Sequence, residues 1–486
     1  MPIVSALDFV PGVLVSSRFG ADEVKVSIRG SGLRNNFHHR GTNILINGNP
    51  YQDADGFGDF ESLDLLAVER IEVWKGANAL RFCAGSLGGA INLVTKSGRT
   101  ASPLAAEAQA GSFDAFRGQV SSGGLRGPVS YYVSGSDTEY GGYRDWSDQG
   151  RQRLFSNLGW RLGERTSARL DLIYANAGEQ LPGALTRAEF RTDPEQADPL
   201  VVGGRLESAE RRFDDRFLAD GDRSDERTFE AVSPRLGLTW AASEAVQVFA
   251  NASRAYEPPL MLELTGFGTP GFLGLEAQDA RQYEVGARGR AFGRLAWDLA
   301  VYDVEIEDEI LNENLRPFPG APFTIPSYRN APETRHRGVE LGLDLLAAED
   351  ALARGDRITW RAAYTYSDFR FVDDSEHSDN ELPGAPSQVL QTQLAYRHPG
   401  GLWVAPRVEW VAEGYFADSA NTQAVEGHTL FDLAVGYAWD RWELLVVGTN
   451  LTDELYAASV QVDSDSGRYL EPGPGRAAAV TLRWRR

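Results

Sequence analysis

Residues 69–96 read ERIEVWKGANALRFCAGSLGGAINLVTK and contain two short β-type runs separated by turns. Residues 70–74 alternate in the manner of a strand, and the Lys-Gly-Ala-Asn sequence at 75–78 interrupts them. Three glycines within 85–89 predict turns before a second β-run at 90–95. Glycine at this density is unfavourable in a helix, so these residues predict a compact α+β element with tight turns.

The first hundred residues contain five motifs in order: Val10-Pro11-Gly12-Val13, Ser27-Ile28-Arg29-Gly30, Ile44-Leu45-Ile46-Asn47-Gly48, Glu69-Arg70-Ile71-Glu72-Val73 with Lys75-Gly76, and the run from Gly85 to Lys96. These motifs resemble, in the same order, those of the plug domain of TonB-dependent outer-membrane receptors. The sequence RGSGLRNNFHHRG at 29–41, followed by ADGFGDF at 54–60, is most similar to receptors of the ferric dicitrate type. Five motifs in register are far more specific than one.

The resemblance implies both the fold and the domain organisation. Residues 1–98 are predicted to form a small α+β plug domain, which is partial at its start. Residues 99–486 are predicted to form an all-β transmembrane barrel of 16 to 22 antiparallel strands. The implied function is import of a ferric chelate, a siderophore or a ferric citrate-like complex, through the outer membrane of a Gram-negative bacterium.

The residues after the plug alternate with a period of two, independently of the resemblance. Leu154, Leu158 and Trp160 share one face of a predicted strand, whereas Arg153 and Asn157 share the other. The same alternation recurs at 168–174, 236–240, 339–345 and 358–366. Aromatic residues near strand ends, and turns that are alternately very short and long, favour a membrane barrel over a β-sandwich.

Composition limits the alternatives. The formal net charge of -21 argues against a nucleic-acid partner, which would favour a basic face. No run of 18 apolar residues occurs, which excludes a transmembrane helix, but barrel strands average out as polar. The single cysteine, Cys83, cannot form an intrachain disulfide.

The predicted number of strands is lower than the family's 22. About sixteen convincing strands follow the plug, five before residue 180 and eleven after 230. Residues 185–230 are charged and alternate little, so a strand deficit is expected there. Because barrel diameter grows with strand number, a plug of about 100 residues is expected to fit poorly. Hidden weak strands, an unclosed barrel and a displaced plug all remain open.

The resemblance also implies partners. A full-length relative would couple to the TonB-ExbB-ExbD complex through a TonB box, and its barrel would be inserted by the barrel-assembly machinery. Residues 1–13 resemble neither a signal peptide nor a TonB box, so we expect a chain cut at its start or a mature fragment. The remaining expected partners are the metal-chelate ligand and outer-membrane lipid, with the receptor as a monomer.

Two plug loops are the predicted ligand site. The first carries cationic, amide, aromatic and imidazole side chains suited to an anionic iron chelate, and the second follows at 51–57. The candidate residues are Arg34, Asn35, Asn36, Phe37, His38, His39, Arg40, Tyr51, Gln52 and Phe57. The other possibility is that both loops pack against the barrel wall.

By motif position, four residues resemble the family's contacts between plug and barrel. Arg29 and Lys75 are the basic plug residues, and Glu284 and Glu340 are the barrel glutamates. The second basic position is usually Arg in the family, so Lys75 would lose bidentate geometry.

Nothing in the sequence predicts an enzyme or a resident metal. Adjacent His38 and His39 diverge, and no third ligand stands at a characteristic spacing. No nucleophile elbow, P-loop or nucleotide motif occurs. We therefore expect no cofactor, because any iron would arrive inside its chelator. Two other hypotheses are a passive porin-like or vestigial barrel and a soluble β-protein such as a propeller, for which no blade period is found.

Overall fold

The computed structural model describes residues 6–18, 24–33, 39–52, 58, 60, 62–79, 82, 86–164, 166–198, 203–206, 233–264, 273–315, 325–412, 414–464 and 467–486. Cys83 lies outside these residues. No helix in the described parts is long and apolar enough to cross a membrane.

The plug is a hairpin beside a four-stranded sheet. Strands β1 and β2 pair antiparallel, and the sheet has the order β4-β3-β6-β5 with β3 and β6 parallel. The alternating residues of these strands converge on one apolar core that includes Ile28, Ile44 and Ile91. The predicted strands at 70–74 and 90–95 are confirmed. The plug strands are β1 Val13–Ser17, β2 Val24–Ile28, β3 Thr42–Ile46, β4 Asn49–Pro50, β5 Val68–Lys75 and β6 Gly89–Thr95.

The remaining strands build a closed antiparallel wall, as the alternation predicts. The last strand pairs with the first, from Ala479 opposite Gly111 to Arg485 opposite Ala105. The wall strands are β7 Ala105–Gly111, β8 Ala115–Arg126, β9 Val129–Tyr140, β10 Gln149–Arg161, β11 Ser167–Leu181, β12 Gly203–Leu206, β13 Arg235–Ala241, β14 Val246–Glu257, β15 Gln278–Ala291, β16 Leu295–Leu315, β17 Ile325–Glu349, β18 Arg357–Phe371, β19 Gln388–Arg397, β20 Leu402–Val411, β23 His428–Trp439, β24 Trp442–Thr449 and β27 Ala477–Arg485.

Among the described residues the ring contains seventeen strands, in which β12 lies between β11 and β13. Strand β12 has only four residues, and without it the ring has sixteen strands. Five of these sixteen lie before residue 182 and eleven lie after residue 230, in agreement with the sequence-based count.

The two ends of the wall differ. Short connections such as Asp440-Arg441 lie at one end, which we call the inner end. Long loops, including residues 372–387, lie at the other, which we call the outer end. These outer loops carry the short strands β21 Tyr415–Phe416, β22 Ala424–Val425, β25 Ala457–Val460 and β26 Leu470–Pro472, and the helices α1 Arg187–Thr192 and α2 Met261–Leu264.

The face of the wall that points away from the lumen is apolar, and the face that lines the lumen is polar. Leu154, Leu236, Trp240 and Val285 are exposed on the outside, where a membrane would cover them. The inward neighbours Arg153 and Glu284 are buried against the contents of the lumen. This arrangement confirms the predicted transmembrane barrel with an N-terminal plug.

The plug lies inside the wall and contacts it on several sides. Gln119 on β8 donates to Asp64 (2.8 Å), and Arg235 on β13 donates to Asn78 (2.7 Å). Asn47 donates to Asp171 on β11 (3.1 Å). Strand β11 lies on a different side of the ring from β15 and β20, which also contact the plug. The expected poor fit is therefore wrong. Small lumen-facing residues, including Ser121, Ser134, Ser136, Ala280, Ala300 and Gly338, leave space that larger side chains would fill.

Candidate functional site

The contacts between plug and wall centre on Arg29. Its φ of 54° and the φ of 87° at Gly30 turn the chain sharply after β2. The guanidinium reaches the wall, where Nη2 lies 2.6 Å from Glu284 Oε1 and Nε lies 2.8 Å from Glu340 Oε1. It also lies 4.5 Å from the centre of the Tyr302 ring.

Lys75 completes this group, which we call the plug lock: Arg29, Lys75, Glu284 and Glu340. The Lys75 ammonium contacts Glu340 and donates to the Pro11 carbonyl (2.9 Å). Burial alone would lower the pKa of the Arg29 guanidinium, but the two glutamates raise it, so this arginine stays charged. The structure thus brings together all four residues that the resemblance indicated.

A second ion pair ties the plug to the outer loops. Arg18, at the end of β1, donates to Glu471 on β26 through Nη2 (2.9 Å) and Nε (3.3 Å). The two side chains are 1% and 0% exposed. Burial would raise the pKa of Glu471, but Arg18 and Lys25 hold it below its ordinary value. The sequence analysis missed this pair, because no local pattern links residues 453 positions apart.

Arg40 occupies a third ionic contact. It is 4% exposed and is paired with Glu263 on α2, while its Nε lies 3.6 Å from Glu257 Oε1 on β14. Gln278 accepts a further hydrogen bond from it at 3.4 Å. Arg40 was predicted as a ligand-binding residue. The structure instead places it in a buried contact between plug and wall, where it presents no free donor face to the outer mouth.

The other described candidates for ligand binding also make contacts within the plug. The His39 ring lies edge-on to Phe60 at 5.2 Å. Tyr51 packs against the apolar core, and the Gln52 side chain accepts from the Ile44 amide at 2.7 Å. These contacts lie within the plug rather than against the barrel wall, and ligand binding by these three residues stays a prediction. Arg34, Asn35, Asn36, Phe37, His38 and Phe57 lie outside the described residues.

The outer loops pack on one another and cover the mouth of the wall. We call this assembly the cap: residues 182–198, 372–387, 412–427 and 450–476. Its first, third and fourth loops share one buried cluster, formed by Leu185, Phe190, Tyr415, Ala417, Val425, Ala457, Val460, Val462, Tyr469 and Leu470. The second loop joins through Gly384, whose amide donates to the Phe416 carbonyl at 2.8 Å.

Cavities of different size border the plug toward its outer and inner ends. The outer one, of about 150 Å³, lies between the β1–β2 hairpin, the wall and the cap, next to Gln391 and His428. The inner one, of about 740 Å³, opens at the inner end beside Phe9, Pro11 and Arg361. Pockets for small ligands usually measure about 300–1,000 Å³, so the outer cavity is too small for a chelate unless the cap moves.

Two family models match the chain. The TonB-dependent receptor plug domain matches residues 3–90, and the TonB-dependent receptor-like β-barrel matches residues 199–451, more than half of the chain. The chain belongs to the TonB-dependent receptor family. The predicted recognition is thus confirmed, and with it the expectation of a receptor rather than an enzyme.

Individual relatives of this TonB-dependent receptor include the ferrioxamine receptor of Yersinia enterocolitica. It is 26% identical over 268 residues, which cover 53% of this chain and 34% of that receptor. The chain therefore spans about one third of the length of the curated relatives it matches.

The fold is similar to that of two solved receptors. The ferric citrate transporter FecA in its unliganded form has a TM-score of 0.76 at 16% identity, covering 99% of this chain and 94% of that one. The siderophore receptor PirA from Acinetobacter baumannii has a TM-score of 0.70 at 15% identity, covering 99% and 96%. At such identities the likeness concerns the fold alone.

The plug and its contacts close the lumen of the wall. The plug lock fixes the plug to the wall, and residues of the cap contact the outer side of the plug through Glu471 and Val460. Among the described residues, no group of three or more His, Cys, Asp or Glu side chains is placed to hold a metal ion.

Proposed function

We propose that this chain is an outer-membrane receptor that imports a ferric chelate with energy supplied through TonB. The observation that carries the proposal is a plug held inside a transmembrane wall by the buried Arg29, Glu284 and Glu340 contacts. Opening such a closed channel requires an input of free energy. Relatives that are named ferrioxamine receptors favour ferrioxamine as the chelate that carries the iron.

The ligand site is proposed at the plug residues Arg34, Asn35, Asn36, Phe37 and His38. Arginine and amide donors suit the anionic or carbonyl oxygens of an iron chelate. Arg40 is excluded from this proposal, because it is already paired with wall glutamates.

Uptake of radiolabelled iron tests the proposal. The chain, preceded by the signal peptide and TonB box of another receptor of the family, would be expressed in a Gram-negative host that lacks its own chelate receptors. Ferrioxamine B, ferric citrate and ferric enterobactin would be supplied in turn. We expect uptake of one chelate that stops in a TonB-deficient host. Equal uptake with and without TonB, or ion conductance of the purified chain in planar bilayers, would support the porin-like alternative instead.

Replacing Arg34 and Asn36 by alanine tests the site separately. We expect at least a tenfold loss of chelate affinity, from the loss of charge-assisted hydrogen bonds of about 1.5–3 kcal/mol each. Unchanged binding would move the ligand site away from this loop. Thr100→Ala, in the linker between plug and wall, is the control.

A further inference from the structure

The first described residues of the plug cross the inner end of the lumen. We call residues 7–12 the N-terminal segment. Leu7 is buried in the plug core, and Phe9 and Pro11 border the inner cavity. At its end, the Gly12 amide donates to Thr365 on the wall at 2.9 Å, and the Gly12 carbonyl accepts from the Arg29 amide at 3.0 Å. The segment thus adjoins the plug lock directly.

Asp8 attaches this segment to the wall through an unusual ion cluster. Its carboxylate lies 2.8 Å from Arg407 Nη2 on β20. The same guanidinium also contacts Glu409 (2.7 Å) and Asp432 (3.1 Å). One guanidinium therefore faces three carboxylates, and all of them lie in the interior of the barrel.

The neighbouring groups do not balance this charge when His428 is neutral. His428 Nε2 lies 3.6 Å from Glu409 Oε1, and its ring packs 4.7 Å from that of Tyr456. Two further cations face the segment: Arg361 on β18 lies 5.9 Å from the Phe9 ring, and the Lys75 ammonium, which is paired with Glu340, donates to the Pro11 carbonyl at 2.9 Å. Among the described residues, the cluster around Asp8 therefore carries an excess of negative charge.

Asp8 can relieve this excess by taking up a proton. Burial raises the pKa of Asp8 to about 7 although Arg407 lowers it, and Glu409 and Asp432 add to the rise. When the segment leaves the wall, the same carboxyl returns toward its ordinary value of 3.8. The docked segment therefore binds a proton more tightly than the released one.

We propose that the N-terminal segment is a proton-stabilised latch, which docks on the wall most firmly when Asp8 is protonated and loosens when Asp8 is ionised. Linkage fixes the direction: the stabilisation is complete below pH 3.8 and is lost as the pH rises through about 7. Release would carry Phe9 and Pro11 away from the inner cavity and withdraw Gly12 from Thr365. The inference stands on the geometry of the segment and does not depend on the proposed transport function.

Hydrogen–deuterium exchange on the purified full chain in detergent micelles tests the latch. Exchange of peptides covering residues 7–13 would be measured from pH 5.5 to 8.5 and divided by the intrinsic rate at each pH. We expect protection of the wild-type segment to fall by about tenfold or more over this range. In Asp8→Asn, which mimics the protonated carboxyl, protection should be high and independent of pH.

A second variant and an internal reference complete the experiment. Glu409→Gln removes one carboxylate beside Asp8, so Asp8 should bind its proton less tightly in the docked segment. The pH at which half of the protection of residues 7–13 is lost should therefore move to a lower value. Peptides from β6 serve as the reference, because they contain no group of the cluster. The latch is overturned by wild-type protection that does not change with pH, or by Asp8→Asn being less protected than wild type at pH 5.5. If Asp8→Asn does not fold, an unchanged midpoint in Glu409→Gln overturns it.

Discussion

Single residues decide how closely the plug approaches the wall. Gly12 has a φ of 78°, and a Cβ atom at this position would fall on the carboxylate of Glu340. Only glycine allows both the left-handed backbone and this close contact. The motif Val10-Pro11-Gly12-Val13 therefore has a physical reason beyond the resemblance.

Gly12→Ala should weaken the plug lock as well as strain the turn. We expect a loss of about 1–2 kcal/mol from the left-handed backbone alone, and a further loss because Glu340 must leave Arg29. Thermal unfolding measures the total loss of stability, and hydrogen–deuterium exchange of the Arg29 amide measures the weakening of the plug lock. Gly48→Ala is the matched control, since Gly48 has a φ of 84° and open space around it. Equal effects of the two substitutions would contradict the prediction.

The pair of Arg18 and Glu471 leads to a second prediction. Arg18→Met leaves a buried carboxylate without its cation, which should cost about 3–5 kcal/mol. Exchange in β25 and β26 should rise accordingly. The double variant Arg18→Met with Glu471→Leu should recover most of the loss, because an apolar pair needs no charge compensation. A double variant as exchange-prone as Arg18→Met would argue against this ion pair.

The pH dependence of this pair is opposite in sign to that of Asp8. The pKa of Glu471 is lowered in the folded protein, so its contribution is complete above pH 4.5 and is lost as the pH falls through the lowered value. The outer contact should therefore persist at pH 8.5, at which the N-terminal segment loosens.

At the scale of elements, the cap behaves as one unit because its loops share a buried cluster. Leu185 contributes a fully buried side chain, and its amide and carbonyl pair with residues of the last loop, including Leu470. Helix α1 is fixed beside it by a capping box between Thr186 and Glu189. Neither the cluster nor the helix follows from the period-two pattern of the wall.

Leu185→Ala should therefore loosen several loops at once. Removal of a buried leucine costs about 2–5 kcal/mol, and here the loss falls on the shared cluster. Exchange should rise together at 412–427 and 457–470, although these residues are distant in sequence. Leu352→Ala, at a side chain 77% exposed at the inner end, is the control and should change neither loop. A rise confined to residues near 185 would show that the loops are independent.

At the scale of the whole molecule, the plug and the wall are formed by successive parts of the chain. One set of contacts closes the wall, and a different set holds the plug inside it. The wall closes through β7 and β27 without any plug residue. The plug blocks the lumen through side-chain contacts on several sides. Deleting residues 1–98 should therefore leave an open pore.

Planar bilayer recordings check this expectation. The full chain should conduct little. The chain without residues 1–98 should conduct continuously, because small residues, including serine, alanine and glycine, line the vacated lumen. Retention of the heat-dependent shift in gel mobility would show that the shortened chain still forms a barrel. Equal conductance of the two chains would mean that the plug does not close the wall.

The sequence by itself determined the β-barrel and plug, the positions of several strands and the approximate number of wall strands, and the four residues of the plug lock. Two-residue alternation and glycine turns depend on residues that are close together in the chain, so they can be recognised in the sequence. The positions of Arg18, Arg40 and Asp8 relative to Glu471, Glu257 and Arg407 were decided only by the tertiary structure. Those contacts join residues hundreds of positions apart, and they exist only because the wall closes around the plug and the outer loops fold over it.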